Sequence, residues 1–199
     1  MDRFKNILGV LSDIYRSGYV EITKSVLKQI KISKDLTPVR KGDYDEIYHF
    51  TTLLNIPAIL DSNALKPFMH PYVSFSTDPK MGEGKKQGWS EVRMILDSDK
   101  LLHDFPLEHF VYLDSEFYKF EKEVRTIREK EWIESLNKYV KEVDLKDDEP
   151  SYWNDEMAGW NGRLIKDVSY QGMKFKEYLD YIKDIGKDTG FKVKILKNF

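Results

Sequence analysis

The chain has 199 residues, 41% hydrophobic and 33% charged, which suits one domain, or one domain with a small appended piece, and excludes a chain disordered throughout. Its 32 Lys and Arg against 34 Asp and Glu give a net charge of -2, a balance that argues against a dedicated nucleic-acid coat while leaving room for a local basic groove. The absence of Cys excludes disulfides, zinc-thiolate sites and cysteine nucleophiles, and fits a reducing compartment.

Phe4, Ile7, Leu8, Leu11, Ile14 and Tyr15 recur at helical spacing, which predicts an amphipathic helix over 3–16. After Ser17-Gly18, Tyr19, Ile22, Val26, Leu27 and Ile30 give a second, less regular helical face. A helical hairpin packed on the core is expected, with a partner-binding arm as the alternative. Residues 33–43, with Pro38 and Gly42, read as a connector, so 1–43 is taken as an N-terminal extension and 44–199 as the main domain.

Asp45 to Phe50 reads as a strand, followed by a helix over 53–62 that Thr52 is placed to cap. Pro57 falls early in that helix, where it is tolerated. Asn63 to Pro67 ends it and turns. Tyr72 to Ser76 alternates Tyr, Ser and Ser against Val and Phe, as a strand with one polar face does. Residues 78–90, with Pro79, three Gly and Lys80, Lys85 and Lys86, read as a surface loop long enough to act as a lid or binding loop. Val92 to Leu96 is a strand, and Asp97 to Leu102 a capped short helix or turn. His109–Leu113 and Val124–Ile127 are further strands. Over 132–145 the spacing fits a helix through Val143 and equally a strand from Tyr139 to Leu145. Beyond the acidic break Asp147-Asp148-Glu149-Pro150 come Trp153 and Trp160, a helix through Phe175, Tyr178, Leu179, Ile182 and Ile185, and a last strand at 191–195. Strands and helices mix without regular alternation, so the class expected is α+β. No apolar run approaches the about 20 residues a membrane helix needs, and Met1 to Asn6 lacks a signal-peptide apolar region; a soluble, cytoplasmic protein is expected.

Three groups of residues carry chemistry. His49 ends a strand, and a neutral imidazole there can donate or accept one hydrogen bond; alone it reads as structural. Tyr72, Ser74 and Ser76 share a strand face that can line a ligand pocket or simply face water. Glu121, Glu123 and Arg125 share another face: burial of the two carboxylates would raise at least one pKa, and Arg125 could offset this. On its own that pattern better fits a solvated strand edge. The four His form no His-Glu-X-X-His pattern or short ligand pair, Asp97-Ser98-Asp99 lacks the rest of a calcium loop, and Gly82 to Lys86 is not a phosphate loop, so no metal site is expected.

Tyr48-His49-Phe50-Thr51, a helix ending Ile59 to Leu65, Val73 to Ser76, Val92 to Asp97 and Glu121-Lys122-Glu123-Val124-Arg125 occur in an order that resembles the ADP-ribosyltransferase-like superfamily. The likeness covers about residues 45–145 and is greatest to small phage- and bacterium-associated members with a strand-borne His and a late Glu-X-Glu-X-Arg. The resemblance implies a split β-sheet core behind an N-terminal helical segment, with NAD as substrate in the cleft. It implies that His49 contacts the adenosine-side ribose with Thr51 beside it, that Ser74 and Ser76 line the nicotinamide pocket, and that Phe75 or Tyr72 stacks on a ring. Glu123 would stabilise the oxocarbenium-like state as nicotinamide leaves, and Glu121 would orient the acceptor. Ser74-Phe75-Ser76 stands where one branch of the superfamily has a Tyr, and the opening strand lacks the Arg of another. The choice between Glu121 and Glu123 therefore stays open. The expected activity is transfer of ADP-ribose to a protein or single-stranded nucleic acid, the latter through Lys80 to Lys86, Trp153 and Trp160. NAD hydrolysis and a catalytically silent binding protein are the alternatives. A phage-encoded member would act in the host-cell cytoplasm.

Overall fold

A computed structural model describes residues 37–67, 72–80, 91–109, 123–128, 131–150, 153, 159–160, 163–164 and 173–197. The two expected N-terminal helices, the loop beyond Lys80, the strand beyond His109 and Glu121 lie outside these residues.

The described chain is α+β. A mixed sheet has the strand order β11-β8-β4-β1-β3-β6-β5. Its strands are β1 (Glu46–Thr51), β3 (Ser74–Ser76), β4 (Val92–Asp97), β5 (Leu107–His109), β6 (Glu123–Thr126), β8 (Val140–Lys146) and β11 (Val193–Leu196). Two small ribbons pair β2 (Ala64–Leu65) with β7 (Ile133–Glu134) and β9 (Gly159–Trp160) with β10 (Arg163–Leu164). The helices are α1 (Ile56–Ser62), α2 (Ser98–Asp104) and α3 (Phe175–Thr189). None of the described helices is long and apolar enough to cross a membrane.

The sheet has a seam. β1 pairs with β4 along its whole length, from Glu46–Asp97 to Thr51–Val92, but with β3 only at Tyr48–Ser76. The half β11-β8-β4-β1 meets the half β3-β6-β5 at this short ladder, where His49 also reaches the Ser74 carbonyl and Phe75, within one seven-stranded sheet.

Alternation assigns the faces. Val92, Met94 and Leu96 of β4 are fully buried, as are Ile47 of β1, Val124 of β6 and Val143 and Leu145 of β8. They face the core, into which α1 sends Ile56 and Leu60 and α3 sends Tyr178, Leu179 and Ile182. The Tyr178 hydroxyl donates to the Leu53 carbonyl at 2.5 Å and so ties α3 to the start of the α1 segment. Gly186 lets α3 lie against β11, since a Cβ there would sit 2.3 Å from Val193 Cγ2.

Three sequence expectations change, and one open alternative is decided. Thr52 does not cap α1: the helix starts after Asn55, whose N–H bonds the Thr52 carbonyl, and the Thr52 hydroxyl is buried without a partner among the described residues. Of the two readings of 132–145 the strand holds, over Val140–Lys146, after a 3-10 turn at Leu136–Lys138 that Tyr139 ends. The connector's end joins the sheet edge: Pro38 bridges Glu108, the Val39 N–H bonds the Leu107 carbonyl, and Val39 is buried. Trp153 is buried in the core, edge-on to Phe175 and tilted against Tyr178, so it is no platform for a nucleic-acid base.

Candidate active site

The sheet face opposite the core is polar, and register dictates which side chains meet there. Paired residues share a face. Ser76 pairs with both Tyr48 and Glu123, Ser74 with Arg125, Arg125 with Glu108, and Arg93 with Asp144. One surface across the seam thus carries Tyr48, Ser74, Ser76, Glu123, Arg125, Glu108, Arg93 and Asp144.

At its centre the Ser74 hydroxyl donates to Glu123 Oε1, diagonally across β3 and β6. Burial raises the Glu123 pKa above the ordinary carboxylate value, and the Ser74 hydrogen bond and the Arg125 charge oppose that rise. Arg125 Nε and Nη2 both donate to Glu108 Oε1, at 3.0 and 2.9 Å, and its guanidinium stacks 4.3 Å from the Tyr72 ring centroid. On the other side of the seam, Arg93 Nε and Nη2 donate to Asp144 Oδ2 at 3.1 and 2.7 Å. Arg93 Nη1 donates to the Pro79 carbonyl at 3.0 Å, and its guanidinium lies 5.9 Å from the Tyr48 ring centroid. The Ser76 hydroxyl accepts the Asp78 N–H at 2.9 Å, which fixes the turn leaving β3.

His49 lies on the reverse face. Its ring meets Phe75 edge-on at 6.0 Å, and Nδ1 lies 3.0 Å from the Ser74 carbonyl. A carbonyl only accepts, so Nδ1 carries the proton and Nε2 of the neutral ring is left as an acceptor. Burial pushes the His49 pKa down, against the opposing Ser74 hydrogen bond, and the ring is neutral at physiological pH.

The residues singled out in the sequence therefore divide. Ser74, Ser76 and Glu123 gather on one face, with Tyr72 stacked at its edge on Arg125. His49 touches this group through the Ser74 backbone. Thr51 follows His49 on the core-side face and is buried, with no described contact to Glu123. Phe75 is 2% exposed among Val73 and Val124 in the core, so it presents no ring to a ligand. Four members of the polar face were not singled out: Tyr48, Arg93, Glu108 and Asp144. Arg93 had a signal, a charge flanked by Val92 and Met94 in an alternating strand; Glu108 and Asp144 became significant only through the register of their partners. Among the described residues no group of three or more His, Asp or Glu side chains is arranged to hold a metal ion.

No protein-family model and no curated protein matches the chain. Solved structures similar to it include two of one protein. One is Thermus sp. 2.9 DarT in complex with NAD+, 12% identical at a TM-score of 0.44, covering 79% of this chain and 98% of that chain. The other is Thermus sp. 2.9 DarT in complex with ADP-ribosylated ssDNA, 12% identical at a TM-score of 0.42, covering 81% and 98%.

Proposed function

We propose that the chain is an NAD-dependent ADP-ribosyltransferase that modifies a macromolecular acceptor, protein or nucleic acid, and releases nicotinamide. The observation that carries this reading is the Ser74–Glu123 pair: a half-buried carboxylate held by a hydroxyl on a polar sheet face, beside the seam of a split sheet. A solvated strand edge would leave Glu123 in water with an ordinary pKa. Burial of a carboxylate that is held by a neutral hydroxyl suits a group that meets positive charge during a reaction.

In this reading NAD is the substrate. Cleavage of its C1′–N bond sends the electron pair to nicotinamide and leaves positive charge on the ribose. Glu123 faces that charge and hydrogen-bonds the ribose, with Ser74 fixing its rotamer. The acceptor's nucleophile bonds to C1′ and loses its proton to solvent, with Glu121 orienting the acceptor as the sequence resemblance implies. Tyr48 supplies a hydroxyl on the same face, and Ser76, buried, fixes the turn leaving β3 through Asp78. His49, neutral and on the reverse face, holds the Ser74 backbone through Nδ1 and so helps to fix the strand that carries Ser74.

Mass spectrometry of cell lysate incubated with NAD and the protein tests activity and acceptor together. An ADP-ribose adduct on a protein or nucleic acid, lost with Glu123→Gln, is the expected result. Nicotinamide release without adduct would make the protein an NAD glycohydrolase, and neither product would leave it a binding protein.

A further inference from the structure

We propose that Arg125, clamped by Glu108 and Tyr72, is a positioning residue that holds a fixed positive charge beside Glu123 and keeps that carboxylate anionic when it works. The inference rests on the reading of Glu123 as the carboxylate that faces the ribose.

Glu123 and Arg125 are two residues apart on β6 and so share a face. Register places Arg125 directly opposite Ser74 on one side, the residue whose hydroxyl holds Glu123, and directly opposite Glu108 on the other. Two guanidinium N–H groups converge on one Glu108 oxygen, and the guanidinium carbon lies over the Tyr72 ring, 4.3 Å from its centroid. The side chains of Arg125 and Glu108 are only 15% and 10% exposed. A planar fork held at its edge and across its face has little freedom left, which a lysine would not share.

The charges around Glu123 have a clear order. Arg125 is its neighbour on the same strand; Glu108 lies one strand further out and is already engaged by Arg125. β3 presents the neutral Ser74 and Ser76, with Asp78 beyond the turn, and His49 reaches the group uncharged, through the Ser74 backbone. Among the described groups the nearest charge is therefore the cation. It acts against the burial that favours a protonated Glu123, and, being fixed, it needs no reorganisation as charge develops on the ribose.

The test is a carbon-13 NMR titration of the Glu123 carboxyl in the full chain, assigned by its loss in Glu123→Gln. Arg125→Gln should raise the midpoint by about one pH unit, and Arg125→Lys, which keeps the charge, should stay closer to the parent chain. The double change Arg125→Gln with Glu108→Gln leaves no buried carboxylate unpaired and should also raise it, so the experiment survives poor folding of the single variant. An unchanged midpoint in these variants, or an equal rise with Arg125→Lys, would overturn the inference. The acid limb of nicotinamide release should move upward with the titration in Arg125→Gln; an equal loss of rate at every pH would mark a purely structural residue and overturn it as well. The titration needs no NAD, so its failure is distinct from a failure to cleave NAD.

Discussion

His49 and Glu123 have pKa values pushed in the directions that keep each less charged, and both shifts bear on stability. Folded His49 resists protonation, while the unfolded chain takes up a proton near 6.5. The stability of the folded chain is therefore undiminished by His49 above that value and falls as pH drops through it toward the lowered folded value. Denaturation at pH 7.5 and pH 5.5 should show a smaller acid loss in His49→Gln than in the parent chain. Glu123 works in the opposite sense. Its folded pKa is raised, so the folded chain is favoured below the unfolded value of 4.5 and loses that advantage as pH rises through the raised value. Glu123→Gln, whose amide oxygen can still accept from Ser74, should melt higher than the parent chain at pH 7. A lower melting temperature would mean that the ionised carboxylate is satisfied by the fold and is not held in readiness for a ligand.

Single elements show what could be read locally and what could not. β4 and β6 were legible, because their two faces differ: Val92, Met94 and Leu96 alternate with Arg93, Ile95 and Asp97, and Val124 and Thr126 with Glu123 and Arg125. α3 was legible from Phe175, Tyr178, Leu179, Ile182 and Ile185 on one helical stripe. Tyr139 to Leu145 was not, since Tyr139, Val140 and Val143 satisfy both periods; the reversal at Ser135, which sits at φ 54, and pairing with β4 and β11 decide it. Thr52 matched a cap by residue type, but Glu91 Oε2 takes the Leu53 N–H and the chain makes a further turn before Asn55. Gly186 carried no local signal, because its reason is the approach of β11. Gly186→Ala should cost about 1–3 kcal/mol by overpacking against Val193, read as a drop in denaturation midpoint. Val193→Ala in the same chain should recover part of it.

Among the described residues the site lies on one seven-stranded sheet whose β1 and β3 are in register at Tyr48–Ser76, with Arg93–Asp144 fastening one side of that seam and Arg125–Glu108 the other. Neither ion pair was legible, because each joins residues far apart in the chain whose meeting depends on strand register. Both sit under the polar face and are poorly exposed. Arg93→Met should destabilise the fold by about 3–5 kcal/mol, since it leaves Asp144 buried and unpaired, whereas Arg93→Met with Asp144→Leu should recover most of that loss. Equal losses in the single and double variants would show that the pair's charge is not the source. The fold and the Ser74–Glu123 core of the candidate site thus followed from alternation and motif order, while the charges that tune it came from pairing. The most direct test of the account is nicotinamide release from NAD by the purified chain and by Glu123→Gln at pH 7. Release by the parent chain, reduced by about 10²–10³-fold in the variant, is the result predicted; equal release by both would contradict the role of Glu123.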